Sequence, residues 1–247
     1  MQMTVVSTGS KGNCILLEHE RRIIILDCGV PIKDIMEAVK FNTINIDACL
    51  VSHSHCDHSS SAKKLTEMFI EVVMPKQTAF DLNIPENSAT LHLIDTSDLY
   101  QQFTFGDWFV KGFELEHDVY NVGYIIYNRM AMQKIVYISD TGFIRHVIPD
   151  ADILIVEANF IDDLLTENED NNEQLIRIKK SHMGLSRLCS YVNKISKHWL
   201  KHIVLVHLSE KNADEQTMAD EVAKVTSVHT IIAKDGMKVS LDKERGY

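Results

Sequence analysis

A chain of 247 residues with 45% apolar and 24% charged residues has an ordinary globular composition and is long enough to bury a sizeable core. It holds no run of about 18 apolar residues, which argues against a transmembrane helix, and its first seven residues carry no basic patch ahead of an apolar stretch, which argues against an export signal. The formal charge of −10 disfavours a long polyanion except at a local basic patch, and five scattered cysteines without a Cys-x-x-Cys pair fit the reduced thiols of a cytoplasmic protein.

Short runs rich in Val, Ile and aromatic residues alternate with stretches of helical period. Strands are predicted over residues 4–8, 14–18 and 22–27, joined by the turn signals Gly9-Ser10-Lys11-Gly12-Asn13 and Asp27-Cys28-Gly29. A helix over 32–40 carries one apolar stripe, Ile32, Ile35, Met36 and Val39, with Pro31 at a favourable start. A strand over 47–52 runs into a polar segment, followed by helices over 60–69 and 76–82, with Ser59, Ser60 and Ser61 as capping candidates. Strands over 108–115, 122–127, 134–139 and 152–156 come next. The segment 160–180, with Asn168 and the run Glu169-Asp170-Asn171-Asn172, reads as a mobile, solvated loop ahead of a helix over 173–179. It is either a plain surface excursion or a lid or homodimer contact. A helix over 185–195, a strand over 203–207, a helix over 215–225 and strands over 230–233 and 237–241 complete the chain. Early strands joined by turns and later strands alternating with helices predict a mixed-sheet α/β (α+β) protein with helices outside, one domain over residues 1–247.

Residues 46–69 carry the chemistry. An apolar strand ends in His53-Ser54-His55-Cys56-Asp57-His58. Side chains two apart on an extended chain share a side, so His53 and His55 can meet one ion. The turn into a helix then aims Asp57 and His58 at a second point nearby. Imidazole and carboxylate donors together suit Zn, Mn or Fe, and surface histidines in a polar loop are the bland alternative. The same alternation points Cys56 toward the core, not toward a ligand position. Three further candidates each stand at a predicted strand end: His117, Asp140 and His207. Taken singly, each is as easily structural; their shared placement is what argues for one site.

These motifs resemble, in order along nearly the whole chain, those of the metallo-β-lactamase superfamily. The resemblance implies a four-layer αββα sandwich with two metals at one edge. It places His53, His55 and His117 on one ion, Asp57, His58 and His207 on the other, and Asp140 between them. Within the superfamily the chain is similar to a bacterial branch of DNA exonucleases. That likeness rests on the Gly-Ser-x-Gly-Asn opening, His117-Asp118 ahead of Val122-Gly123-Tyr124, the Ser139-Asp140-Thr141-Gly142 turn and His207-Leu208-Ser209. It departs at Asn121, where the branch tends to have proline, and at residues 181–186, where a Gly-His-Leu-Ser segment carries an extra residue. Phage-encoded phosphodiesterases that destroy cyclic nucleotide immune signals share the fold and metal set, and a short acidic chain suits a small anion as well as a polymer.

The function expected is a two-metal phosphodiesterase acting on nucleotides or nucleic acid, with zinc first among the metals and manganese or iron next. Paired cations activate water and stabilise charge on the phosphoryl oxygens. Asp57 binds and orients; His182 contacts substrate and donates a proton, or else is a capping or core histidine ahead of the helix over 185–195. Asp27 either supports a metal ligand or only forms its turn. A thioesterase or lactonase on the same site is the alternative. A β-lactamase fits less well, lacking an export signal here and usually lacking the bridging aspartate; a mere binding protein has no reason to keep seven ligand-type residues. Bland roles are expected for His19, His92, His146, His198, His202 and His229, and for Lys63 and Lys64 as a solvated helix face. The Gly9–Gly12 turn is a weak candidate for presenting N–H groups to an anion.

Overall fold

Buried and exposed side chains alternate from the first strand, β1 (Gln2–Ser7), in the computed structural model, which describes residues 1–98, 100–168, 172–195 and 199–242. β1 pairs antiparallel with β2 (Cys14–His19), which turns back into β3 (Arg22–Leu26) through Glu20 and Arg21. Both have positive φ, 49° and 67°, as a two-residue hairpin turn of the twist-matching kind requires. From β3 the sheet continues in parallel through β4 (Ile46–Leu50), β5 (Val72–Pro75) and β6 (Leu91–Ile94). The crossovers carry α1 (Ile32–Ala38), the short α2 (Cys56–Ser59), α3 (Ala62–Glu67) and α4 (Lys76–Asp81).

A second sheet begins as an antiparallel meander: β7 (Phe103–Phe105), β8 (Trp108–Leu115), β9 (Asn121–Asn128) and β10 (Gln133–Ile138). It turns parallel at β11 (Ile153–Glu157). The helices α5 (Asp162–Asn168), α6 (Asn172–Ser181) and α7 (Leu185–Val192) follow, then β12 (His202–Val206), α8 (Glu215–Thr226) and β13 (His229–Ile232). The last strand, β14 (Lys238–Ser240), returns to the first sheet beside β1. The two seven-stranded sheets thus run β14-β1-β2-β3-β4-β5-β6 and β13-β12-β11-β10-β9-β8-β7 among the described residues.

The sheets face each other across one apolar layer in which Met3, Leu17, Ile24, Leu26 and Leu50 meet Trp108, Tyr124, Tyr137, Ile155 and Val204. Outside the first sheet, Ile35, Leu65 and Ala79 of α1, α3 and α4 cover Ile25, Cys49 and Val72. Outside the second, Leu188, Val192, Met218 and Val222 of α7 and α8 cover Val136, Leu154, Ile203 and Leu205. This is the expected αββα sandwich. Each large side chain so buried contributes about 1.5–3 kcal/mol, and a Leu26→Ala cavity in the central layer costs about 2–5 kcal/mol.

Several local expectations need correction. The predicted helix over 60–69 is the shorter α3, with the unpredicted α2 ahead of it, and Ser59 and Ser61 do not cap α3: their hydroxyls donate to the carbonyls of Ser54, His55 and Val30. β5, β6 and β7 have three or four residues each, too few to display a period. The segment 160–180 is not a loop before a helix but α5 and α6, with acidic residues in the first turns where the helix dipole favours them. Residues 169–171 of its acidic run, and His198, lie outside the described residues. All five cysteines are free thiols, and no helix among the described residues is long and apolar enough to cross a membrane.

Candidate metal centre

Strand direction gathers the site. β8 and β10 are both antiparallel to β9, so they run the same way, and β10, β11 and β12 are parallel. His117, Asp140, Glu157 and His207 therefore emerge from the same edge of the second sheet. In the first sheet the parallel pair β3 and β4 delivers Asp27 and the segment 53–58 to the facing edge. All seven predicted ligand-type residues are brought together. His53, His55 and His117 form one group and Asp57, His58, Asp140 and His207 another, each with its donor atoms within 4.8 Å of one another.

A buried carboxylate braces the arrangement. Asp27, in a positive-φ turn and fully buried, accepts from the Ser52 N–H at 2.7 Å, the Ser52 hydroxyl at 3.0 Å and the Tyr137 hydroxyl of the opposite sheet at 2.6 Å. It also lies 2.7 Å from His58 Nδ1, which fixes that ring and turns Nε2 toward Asp57 and Asp140. Asp27 thus does more than form its turn: it also holds a ligand-type histidine in place. Gly29 lets the strand end close on the motif, since a Cβ there would sit 1.8 Å from the Asp57 carbonyl oxygen. In the Gly9–Gly12 turn, the weak candidate for anion binding, both glycine amides are engaged within the chain: Gly9 N–H donates to the Asn13 side chain and Gly12 N–H to the Gly9 carbonyl. Asn13 N–H in turn holds the Asp57 carbonyl at 2.7 Å.

The two groups differ electrically. Burial, reinforced by the neighbouring His58 ring, pushes His53 well below the ordinary imidazole range, and burial lowers His117 as well. His117 donates through Nδ1 to the Ser181 carbonyl at 2.7 Å, which leaves Nε2 facing His55 Nδ1 at 3.2 Å. In the other group burial opposes every charge, yet mutual attraction wins. Asp140 raises His207 to about 10, with Asp57 and Glu157 assisting, and Asp140 and Asp27 raise His58. His207 and His58 hold Asp57 and Asp140 below the usual carboxylate range. Protons and divalent cations compete for such donors.

The donor set fits metal. His53 Nε2 is buried and has no hydrogen-bond partner, and His207 Nε2, also buried, makes no hydrogen bond and has only the Asp57 carboxylate at 3.5 Å, an expensive state for polar atoms unless something else binds them. A cation facing each would satisfy both.

Sequence reasoning missed Glu157. It closes β11, fully buried, and its carboxylate accepts from the Thr141 and Met183 N–H groups at 2.9 and 3.0 Å. It also meets His182 Nδ1 at 2.6 Å and His207 Nδ1 at 3.2 Å. The one signal was a lone carboxylate at the end of an otherwise apolar run, one residue past the predicted strand. His182 stands at the cleft, half-buried, its ring stacked on His207 with centroids 5.5 Å apart. The carboxylates of Glu157 and Asp140 raise it against the effect of burial. The cleft over the cluster measures about 490 Å³ and is walled by His55, Asp118, Arg177, His182 and Lys211. Cys56 is exposed, not core-facing, because α2 begins at that residue and strand alternation ends at His55. Lys63 and Lys64 lie on an exposed face away from the cleft, with Lys64 paired to Glu67.

A family model described as "Beta-lactamase superfamily domain" matches residues 22–208. The chain is 24% identical over 247 residues to the exodeoxyribonuclease WalJ of Streptococcus pneumoniae serotype 2 (strain D39 / NCTC 7466), with 94% of this chain and 88% of the relative covered. It is 23% identical over 243 residues to the exodeoxyribonuclease YycJ of Bacillus anthracis, with 91% and 89% covered. Among solved structures it is similar to the metallo-beta-lactamase fold protein YhfI from Bacillus subtilis, at a TM-score of 0.74 and 18% identity over 97% of this chain and 99% of that one.

Proposed function

The chain belongs to the beta-lactamase superfamily, and from that premise we propose that it is a two-metal phosphodiesterase that cleaves nucleic acid in the manner of an exonuclease. The observation that carries the reading is the buried imidazole nitrogen His53 Nε2, which has no hydrogen-bond partner, together with His207 Nε2, which has only the Asp57 carboxylate at 3.5 Å, inside two adjoining groups of ligand-type side chains. Names of relatives that cover most of this chain add the substrate class. His53, His55 and His117 would hold one cation, Asp57, His58 and His207 the other, with Asp140 reaching both. A histidine-rich set with carboxylates suits zinc first, then manganese or iron.

Bound there, two divalent cations supply Lewis acidity at a phosphoryl oxygen and lower the pKa of water toward neutrality. The protein's own groups do the rest. Asp57 accepts a hydrogen bond from the attacking water and orients it. His182, anchored through Nδ1 by Glu157, presents its other ring nitrogen to the cleft and donates a proton to the leaving oxygen. Arg177 on α6 is exposed, lines the cleft and has no side-chain partner among the described residues, so its guanidinium is available to hold substrate phosphate.

A turnover screen with Zn or Mn tests the reading. Its substrates are a bis-aryl phosphodiester, single- and double-stranded DNA, RNA, 3′,5′-cyclic nucleotides and a thioester. Release of mononucleotides from DNA ends is expected. Activity on cyclic nucleotides alone would move the substrate to a signalling molecule, and thioester cleavage without phosphodiester cleavage would replace the reading by the thioesterase alternative.

A further inference from the structure

Beside the metal cleft lies a second hollow of about 580 Å³, walled by Lys76, Gln77, Phe80, Leu93, Asp95 and Tyr120. We propose that it is a nucleobase subsite, in which a base stacks on Tyr120, so that substrate reaches the metal centre as an unpaired strand. The inference rests on the phosphodiesterase reading for the chemistry next door, but its own support is separate.

The two hollows share one stretch of chain. His117 and Asp118 wall the metal cleft, and Tyr120 walls the second hollow. Three residues span at most about 11 Å, so a strand with its phosphate in one hollow has its neighbouring base at the other. The stretch is also fixed. His117 Nδ1 bonds the Ser181 carbonyl, Asn121 donates its side-chain amide to the Asp140 carbonyl, and Val122 N–H donates to the Ser52 carbonyl at 3.2 Å. The Tyr120 hydroxyl is held 2.6 Å from Thr96 Oγ1, which sets the ring without covering it. Tyr120 is 39% exposed and Phe80 74%. Neither belongs to the three buried core clusters, and both line the hollow. Aromatic faces bind bases by stacking, with little regard to sequence. Gln77 and Asp95 on the rim offer donors and acceptors to a base edge, while Lys76 is paired with Glu86 of the same hollow at 3.2 Å, so the hollow recognises the base and leaves the phosphate to the metal cleft. Bases inside a duplex are stacked on one another and cannot enter.

The test is binding of a single-stranded, phosphorothioate-linked oligodeoxynucleotide that carries 2-aminopurine at its end, to the zinc-loaded protein. Quenching of the 2-aminopurine is expected, with affinity falling about 5- to 150-fold and quenching lost in Tyr120→Ala. Tyr120→Phe keeps the ring and restores both, and Phe80→Ala gives a smaller loss. On cleavable DNA, Tyr120→Ala raises KM for the strand at least tenfold more than for a bis-aryl phosphodiester. Unchanged binding and quenching in a folded Tyr120→Ala protein overturns the proposal. So does duplex DNA or a cyclic mononucleotide that binds as tightly and depends equally on Tyr120. A protein that binds the strand through Tyr120 but cleaves no phosphodiester keeps the subsite and loses the enzymatic reading; cleavage with no Tyr120 dependence does the reverse.

Discussion

The two halves of the centre solve the same problem differently. The half built from His53, His55 and His117 contains only imidazoles, of which burial pushes two toward the neutral form that donates a lone pair. The half built from Asp57, His58, Asp140 and His207 pairs two carboxylates with two imidazoles that those carboxylates raise. The first is ready for a cation but loosely framed, since His55 is a third exposed and the nearest carboxylate outside the group, Asp118, is 42% exposed. The second is charged, enclosed except at Asp57, and braced from behind by Asp27 and Glu157, both fully buried. The difference teaches that rigidity and charge are concentrated in the half that buried carboxylates brace, while both halves line the cleft, through His55 and His117 on one side and Asp57, Asp140 and His207 on the other.

Metal removal tests both halves at once and has the largest expected effect. Chelation should abolish phosphodiester turnover and lower the thermal midpoint, since free metal at about a thousand times its dissociation constant contributes about 4 kcal/mol of stability. Metal analysis during a stepwise chelator titration should show the open half emptying first. Undiminished turnover in metal-free protein would remove both halves from the mechanism.

Asp140→Asn comes next, because that side chain adjoins both halves. Turnover should fall on the order of 10³-fold, with bound metal dropping from two ions toward one. The folded protein should also lose stability, because His58 and His207 are left without their nearest shared carboxylate. Retention of two ions with normal turnover would mean that the halves act independently.

Asp27→Asn acts directly on the closed half, through His58, and reaches the open half only through the Ser52 hydroxyl that links Asp27 to His53 Nδ1. Loss of a carboxylate behind a ligand-type histidine costs about 10- to 100-fold in metal affinity or activity. Calorimetric titration should show one site weakened by that factor and the other weakened less. Equal weakening of both would erase the distinction between the halves.

The legibility of these parts follows from how local their signals are. His53, His55, Asp57 and His58 fall within six residues, so strand alternation and the following turn suffice to divide them in two. His117, Asp140 and His207 are each a single ligand-type residue at a strand end, and only that shared placement and the resemblance joined them. Glu157 gave almost no signal, since a carboxylate at the end of Ile153–Glu157 matters only once β10 and β12 flank it and deliver His182 and His207 to it. Cys56 was misjudged because α2 starts there and ends the two-residue period. The parallel four-residue β5 was invisible for the same kind of reason: its order comes from β4 and β6 on either side, not from its own sequence. The acidic stretch that forms α5 looked like a loop because intrinsic propensity is a weak guide where packing on the sandwich decides.

The smallest expected effect, and the sharpest probe of the open half, is Asp118→Asn. Asp118 Oδ1 lies 3.3 Å from His55 Nε2 and 3.1 Å from His117 Nε2, so it touches two of the three imidazoles without belonging to their group. Its exposure lets water screen the interaction, which limits its worth to that of a surface ion pair. Affinity at the open half should therefore fall about two- to fivefold, with the closed half untouched and the thermal midpoint nearly constant. Competition between the protein and a chromophoric zinc chelator resolves a change of that size. A drop as large as that from Asp27→Asn would mean that Asp118 is a ligand in its own right and that the open half is as firmly framed as its neighbour. No drop at all would mean that the contact with His55 and His117 is given up when the cation enters, leaving Asp118 free to face the strand that passes between Arg177 and Tyr120.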